Sequence, residues 1–124
     1  MKILDSSVVI ALFKADDVHH EKAKQIFFQV DDCIIPNYIL VEVLSILKMK
    51  CGLEAVKKCT EFLYNSEGID IHEIHQETFD EATTYYVNHK NNLSFPDALL
   101  LRLSKKTKIP LMTFDKELEK LCKK

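Results

Sequence analysis

Asp5, Glu42, Asp97 and Asp115 are the side chains of this 124-residue chain with the strongest claim to chemistry. Asp5 closes Lys2–Leu4, which reads as a short strand, and Asp115 lies just past Thr113 at the end of the last strand. Asp97 falls in the first turn of a helix that opens at Ser94, and Glu42 sits about one and a half turns into another. In parallel sheets, ligands bind outside the carboxyl ends of the strands. All four acids are therefore expected to converge on one rim. Two carboxylates about 5 Å apart repel by roughly 3 kcal/mol at an effective dielectric of 20. Several together are tolerated only if some stay protonated or a cation intervenes. All-oxygen ligation suits Mg²⁺ or Mn²⁺, not zinc. One or two such ions can polarise a phosphodiester and activate water for in-line attack.

Each acid also has a plainer reading. Ser94-Phe95-Pro96-Asp97 fits a capping box with proline in the first turn. Asp5 and Asp115 can each be simple helix N-caps. Glu42 resists that explanation, because it is flanked by Leu40-Val41 and Val43-Leu44. A buried glutamate without a partner is costly.

The elements that must position these acids follow from hydrophobic spacing, which switches between short runs and helical periods. Lys2–Leu4 reads as a strand and Ser6–Lys14 as a helix. The Asp16-Asp17 pair then caps a helix from Val18 to about Val30. Cys33–Ile35 is a second buried strand stopped by Pro36, and Asn37 caps a long helix to Lys50 that ends at Gly52. Leu53–Tyr64 is helical, Ile69, Ile71 and Ile74 suggest an edge strand, and Gln76–His89 is helical. Ser94 opens a helix through about Lys105, Pro110–Thr113 is the last strand, and Asp115 starts the terminal helix. Short strands separated by helices predict an α/β fold in three layers, a short parallel sheet flanked by helices on both faces. The length fits one domain over residues 1–124.

Composition narrows the chemistry further. The two glycines, Gly52 and Gly68, exclude a dinucleotide fingerprint and a Walker-type phosphate loop. They exclude a G-x-S-x-G nucleophile elbow as well. Cys33, Cys51, Cys59 and Cys122 contain no C-x-x-C spacing and read as free, mostly buried thiols. His72 and His75 lack the HExxH arrangement and a nearby third ligand, which argues for surface polarity over zinc. Tyr64, Tyr85 and Tyr86 could stack on bases, although core and edge packing is the simpler reading.

The longest stretch without a charged residue, Cys33 to Val41, is nine residues, whereas a membrane span needs about 20. Asp5 also interrupts any signal-peptide core, so a cytoplasmic protein with no membrane partner is expected. The net charge of −2 hides an asymmetry. Residues 1–101 carry nine basic and sixteen acidic side chains, and residues 102–124 carry eight basic and three acidic ones. A lysine-rich end can touch a phosphate backbone or form a solvated helix face.

Four segments carry a family resemblance. They are Leu4-Asp5-Ser6-Ser7-Val8-Val9-Ile10-Ala11-Leu12, Pro36-Asn37-Tyr38-Ile39-Leu40-Val41-Glu42-Val43-Leu44, Leu93-Ser94-Phe95-Pro96-Asp97-Ala98-Leu99 and Leu111-Met112-Thr113-Phe114-Asp115-Lys116-Glu117-Leu118. In order and separation they resemble the PIN domain family, in particular the VapC-like toxins. The resemblance implies a PIN fold and a Mg²⁺- or Mn²⁺-dependent ribonuclease. Asp5 and Asp97 would be its principal metal ligands, with Glu42 and Asp115 completing the catalytic site. Ser7 and Thr113 match positions whose hydroxyls support the site in the family. It also implies a cognate antitoxin and a homodimer. Two departures stand out. Phe114 occupies a position that is usually polar or basic, and Leu101-Arg102 stands where small residues are common.

Other readings fit less well. A metal phosphatase of the haloacid dehalogenase type wants an acid where Ser7 stands, and a receiver domain wants one beside Asp5, where Ile3-Leu4 stand. A PIN scaffold turned non-catalytic binding or regulatory module remains the alternative, although all four acids are present.

Overall fold

A computed structural model describes residues 1–29 and 32–124. In chain order the elements are β1 (Lys2–Leu4), α1 (Ser6–Phe13), α2 (His20–Gln29), β2 (Cys33–Pro36), α3 (Asn37–Cys51) and α4 (Leu53–Asn65). They continue with β3 (Ile69–His72), α5 (Gln76–Asn88), α6 (Phe95–Thr107), β4 (Leu111–Met112) and α7 (Lys116–Lys123). The strands form one sheet in the order β3-β2-β1-β4, and every pairing is parallel. Helices flank the sheet in the expected three-layer α/β/α arrangement. They pack as two groups, α1 to α4 and α5 to α7.

The strand order sets the place for a site. From β1 the chain steps outward to β2 and β3, then returns to lay β4 on the other side of β1. The direction of winding reverses between β1 and β4, and that reversal opens a crevice at the carboxyl ends of the two strands. Asp5 and Thr113 stand there.

The short strands are held by burial rather than length. Ile3 and Leu4 of β1 and Ile35 of β2 are wholly buried, as are Val8, Val9, Ile39, Val43, Leu47, Leu100 and Leu118 of the covering helices. Burying one such side chain contributes about 1.5–3 kcal/mol. Helix α1 depends on this, because its Val8-Val9-Ile10 run has poor intrinsic helix propensity. Gly52, at φ +87°, ends α3 and leads directly into α4, a left-handed backbone that a side chain would strain.

Several expectations need correction. The Asp16-Asp17 pair does not cap a helix from Val18. Asp17 Oδ1 accepts from the His19 amide at 2.8 Å, which closes a local turn, and α2 begins only at His20. The expected end of that helix, Val30, lies outside the described residues. Asn37 is not the cap of α3 but its first residue. Pro36, extended at φ −57° and ψ 141°, is the cap and makes no side-chain cap bond. Pro36 also does not stop β2, because it still pairs in register with His72. Its missing N–H costs no ladder bond at a strand's last residue. Strand β4 is confined to Leu111–Met112. Tyr64 and Tyr86 are exposed, so among the three tyrosines only Tyr85 packs against the core.

The cysteines are free: Cys33 and Cys59 are buried, Cys122 is half-buried and Cys51 is exposed. Among the described residues, no helix is long and apolar enough to cross a membrane.

Candidate functional site

Asp5 is the first residue past β1 and the N-cap of α1, so strand and helix fix it from both sides. It is 5% exposed, and hydroxyl and amide donors satisfy its carboxylate. Oδ1 accepts from the Ser6 amide at 2.6 Å. Oδ2 accepts from Ser7 Oγ at 3.0 Å and from Thr113 Oγ1 at 2.6 Å. Bonds of this kind to an ionised carboxylate are stronger than neutral ones.

The two supporting hydroxyls also hold the segment after β4. Ser7 Oγ accepts from the Phe114 amide at 3.1 Å, and Thr113 Oγ1 accepts from the Asp115 amide at 3.0 Å. Asp115 then caps α7, its Oδ1 accepting from the Leu118 amide at 2.9 Å. One hydrogen-bonded unit therefore joins Asp5, Ser7, Thr113 and Asp115 across the crevice. Asp5 and Asp115 do serve as helix caps, and each keeps a second carboxylate oxygen outside its cap bond.

Glu42 and Asp97 approach from α3 and α6. Ser6 Oγ lies 3.3 Å from Asp5 Oδ1 and 3.4 Å from Glu42 Oε1, so one hydroxyl bridges two acids. Glu42 is half-buried, and its carboxyl is held above the usual range by burial and then by Asp5, against the opposing Ser6 hydroxyl. Asp97 is set at the start of α6 by the Ser94 side chain, which accepts from the Asp97 amide at 3.3 Å. Burial pushes its carboxyl up to about 6, reinforced by Asp5, Asp115 and Glu42 and opposed by the Ser94 hydroxyl.

Sequence reasoning missed two residues. Ser6 is one. Tyr38 is the other, and its hydroxyl donates to the Pro96 carbonyl at 3.0 Å, tying α3 to the first turn of α6. Burial raises the Tyr38 phenol far above its ordinary value, and Asp5, Asp97 and Glu42 raise it further. Tyr38 stands one turn before Glu42 on α3, a spacing that puts the two on one helix face.

No ion pair reaches any of the four acids among the described residues. As they stand, no three acid, histidine or cysteine side chains among the described residues are grouped to close round an ion. The chemistry of the donors nevertheless fits a hard divalent cation: carboxylate oxygens, mutually repulsive and unneutralised by lysine or arginine. Direct ligation by three or four of them would require side-chain movement. His72 and His75, 6.1 Å apart between ring centres, lie on the edge strand and the turn after it, away from β1 and β4.

Both departures from the family pattern have packing roles. The Phe114 ring stacks on His19 at 4.3 Å, with Lys22 Nζ 5.9 Å from its centre. Leu101 is buried, and Arg102 pairs with Glu81 across the α5–α6 contact.

A parallel α/β protein with acids at its topological switch point is the class that fold and site define. The PIN domain model matches residues 2–124, and the chain belongs to that family. No curated protein sequence matches it. Among solved structures, the chain is similar to Mycobacterium tuberculosis VapC20, described as a sarcin-ricin loop cleaving toxin. That match has 23% identity and a TM-score of 0.88, covering 97% of this chain and 94% of the other. FitAcB from Neisseria gonorrhoeae matches at 13% identity and a TM-score of 0.72, covering 99% and 94%. A toxin-antitoxin complex from Klebsiella pneumoniae matches at 19% identity and a TM-score of 0.68, covering 93% and 87%. At these identities the likeness is one of fold.

Proposed function

We propose that the chain is a Mg²⁺- or Mn²⁺-dependent endoribonuclease and the toxin of a toxin-antitoxin pair. The observation that carries this reading is the shared field of four unpaired carboxylates, delivered from four elements to the β1–β4 switch point. Asp5 and Asp97 are the principal ligands of the proposed site, with Glu42 and Asp115 completing it. When bound, the cation supplies Lewis acidity toward a phosphodiester and favours ionisation of water for in-line attack.

The chain's own residues prepare that chemistry. Ser7 and Thr113 hold Asp5 Oδ2 in one orientation, so the buried carboxylate needs little reorganisation. Ser6 can donate its single hydroxyl proton to Asp5 or to Glu42, linking the settings of the two acids. Asp97, with its carboxyl near 6, holds a proton in a fraction of cation-free molecules at neutrality and so relieves the repulsion. Tyr38 fixes the α6 turn that presents Asp97.

The partners follow from the same reading: RNA as substrate, an antitoxin protein, and a second copy of the chain, all in the cytoplasm. Support for the antitoxin comes from structural neighbours that include a toxin-antitoxin complex. The dispersed side chains favour one second reading, a binding module without turnover.

Incubation with structured RNAs separates the two. A sarcin-ricin-type hairpin belongs among them, with and without Mn²⁺. Mn²⁺-dependent cuts that vanish in chelator and in Asp5→Asn support the nuclease. Binding without cuts supports the module.

A further inference from the structure

One charged feature lies outside the acidic site. Helices α5, α6 and α7 enclose a cavity of about 320 Å³ whose lining includes Tyr85, His89, Arg102, Lys105, Leu121 and Lys124. A second cavity of about 400 Å³ adjoins it and shares Tyr85, His89 and Arg102. Together they form a groove along one side of the molecule. Its cationic groups come mainly from the lysine-rich last fifth of the chain, including the single arginine.

These cations are under-used. Lys105 Nζ donates to the Cys122 carbonyl at 3.2 Å, and neither Lys105 nor Lys124 pairs with an acid among the described residues. Arg102 pairs with Glu81, the one acid lining the groove, through a terminal nitrogen. Its Nε is buried and has no acceptor among the described residues. A buried, unsatisfied guanidinium N–H is costly unless a ligand or water completes it. On the wall, His89 stacks on Tyr85 at 4.0 Å, and Nδ1 of His89 lies 3.0 Å from the Tyr85 carbonyl.

The groove and the acids share helices. Leu101, in the groove lining, stands four residues after Asp97 on α6, one turn along the same face and about 6 Å further down the axis. Groups spaced in this way, basic beside acidic, suit a polyanion that runs past the acids. We propose that this groove holds the sugar-phosphate backbone of the RNA strand, with Arg102 and Lys105 as phosphate contacts that position the scissile bond at the carboxylates. The inference rests on the nuclease reading above and adds to it a backbone track built from this chain's own residues.

Binding measured without cleavage tests it. Fluorescence anisotropy of a labelled single-stranded RNA is followed in excess chelator across a KCl series, using the full chain. Lys105→Glu is expected to weaken binding about tenfold or more at low salt, and to flatten the log–log salt slope by about one to two. Arg102→Gln should act in the same direction. Because Arg102 also ties α6 to α5, Lys105→Gln serves as the variant that leaves that tie intact, and circular dichroism checks its fold. Lys57→Glu on α4, far along the chain and paired only with Glu54, should leave the salt slope unchanged.

Equal effects of Lys57→Glu and Lys105→Glu, no RNA binding by the wild type, or tighter binding of an acidic peptide than of RNA would overturn the groove. The two proposals fail separately. Mn²⁺-dependent cleavage with Lys105-independent binding removes only the groove. Lys105-dependent binding without any cleavage removes only the nuclease.

Discussion

Thr113 Oγ1 donates a 2.6 Å hydrogen bond to Asp5 Oδ2 across 108 positions of chain. The same oxygen accepts from the Asp115 amide at 3.0 Å. A single buried hydroxyl thus joins the ends of β1 and β4 and sets two of the four acids relative to each other.

Thr113→Val keeps the shape of that residue and removes both bonds. Leaving a buried charge and an amide less satisfied costs about 1–3 kcal/mol. For a chain of this length, a loss of several degrees in Tm is expected by calorimetry. An unchanged Tm would mean that water replaces the hydroxyl and that the unit is not cooperative.

Tyr38→Phe tests the strut between α3 and α6. Loss of its bond to the Pro96 carbonyl costs about 1 kcal/mol. It should also lower Mn²⁺-dependent RNA cleavage, because the turn that presents Asp97 loses its anchor. Reduced kcat with little change in KM is the expected signature of misplaced chemistry rather than lost binding. A rise in KM alone would assign Tyr38 to substrate contact.

Asp97 gives a pH dependence with a defined sign. Its folded pKa, about 6, lies above the model value of 3.8. Stability from the protonated carboxyl is therefore fully present below about 4 and is lost as pH rises through 6. Asp97→Asn should be the more stable protein at neutral pH in chelator, by on the order of 1 kcal/mol after discounting for solvent screening. The difference should vanish below about pH 4. Thermal melts of both proteins across that range provide the check.

Glu81 runs the other way. Its carboxyl is held below the usual range by the Lys106 ammonium and then by Arg102, so its contribution is present above the unfolded pKa and fades as pH falls. Glu81→Gln should melt below the wild type at neutral pH and match it in acid. Identical melts at both pH values would show that the exposed pairs add nothing to stability, as many surface pairs do.

Much of this architecture was legible in the residues themselves. The buried runs at Ile3-Leu4 and Cys33–Ile35, the caps at Asp5, Ser94 and Asp115, and Gly52 after α3 all express local physics. The errors fell where local signals compete. An aspartate can cap a helix or close a turn, and at Asp17 the turn won. A proline after a strand can end it or be its last residue, and at Pro36 the register with His72 decided.

The candidate acids could be named because each sits beside a predicted strand or helix end. Their hydroxyl supports were harder. Ser6 and Tyr38 act across 36 and 58 positions, distances over which only the folded topology brings partners together. The dispersal of the four side chains was not legible at all. It depends on rotamers that repulsion and the Ser6, Ser7 and Thr113 hydroxyls set in the folded chain.

The most direct measurement is calorimetric titration of Mn²⁺ into the wild type, Asp5→Asn and Asp97→Asn, without RNA. If the four carboxylates form one cation site, the wild type takes up Mn²⁺ saturably and gains thermal stability as it fills, and both variants lose uptake and stabilisation together. Equal uptake by all three proteins, or none by the wild type, would contradict a shared site.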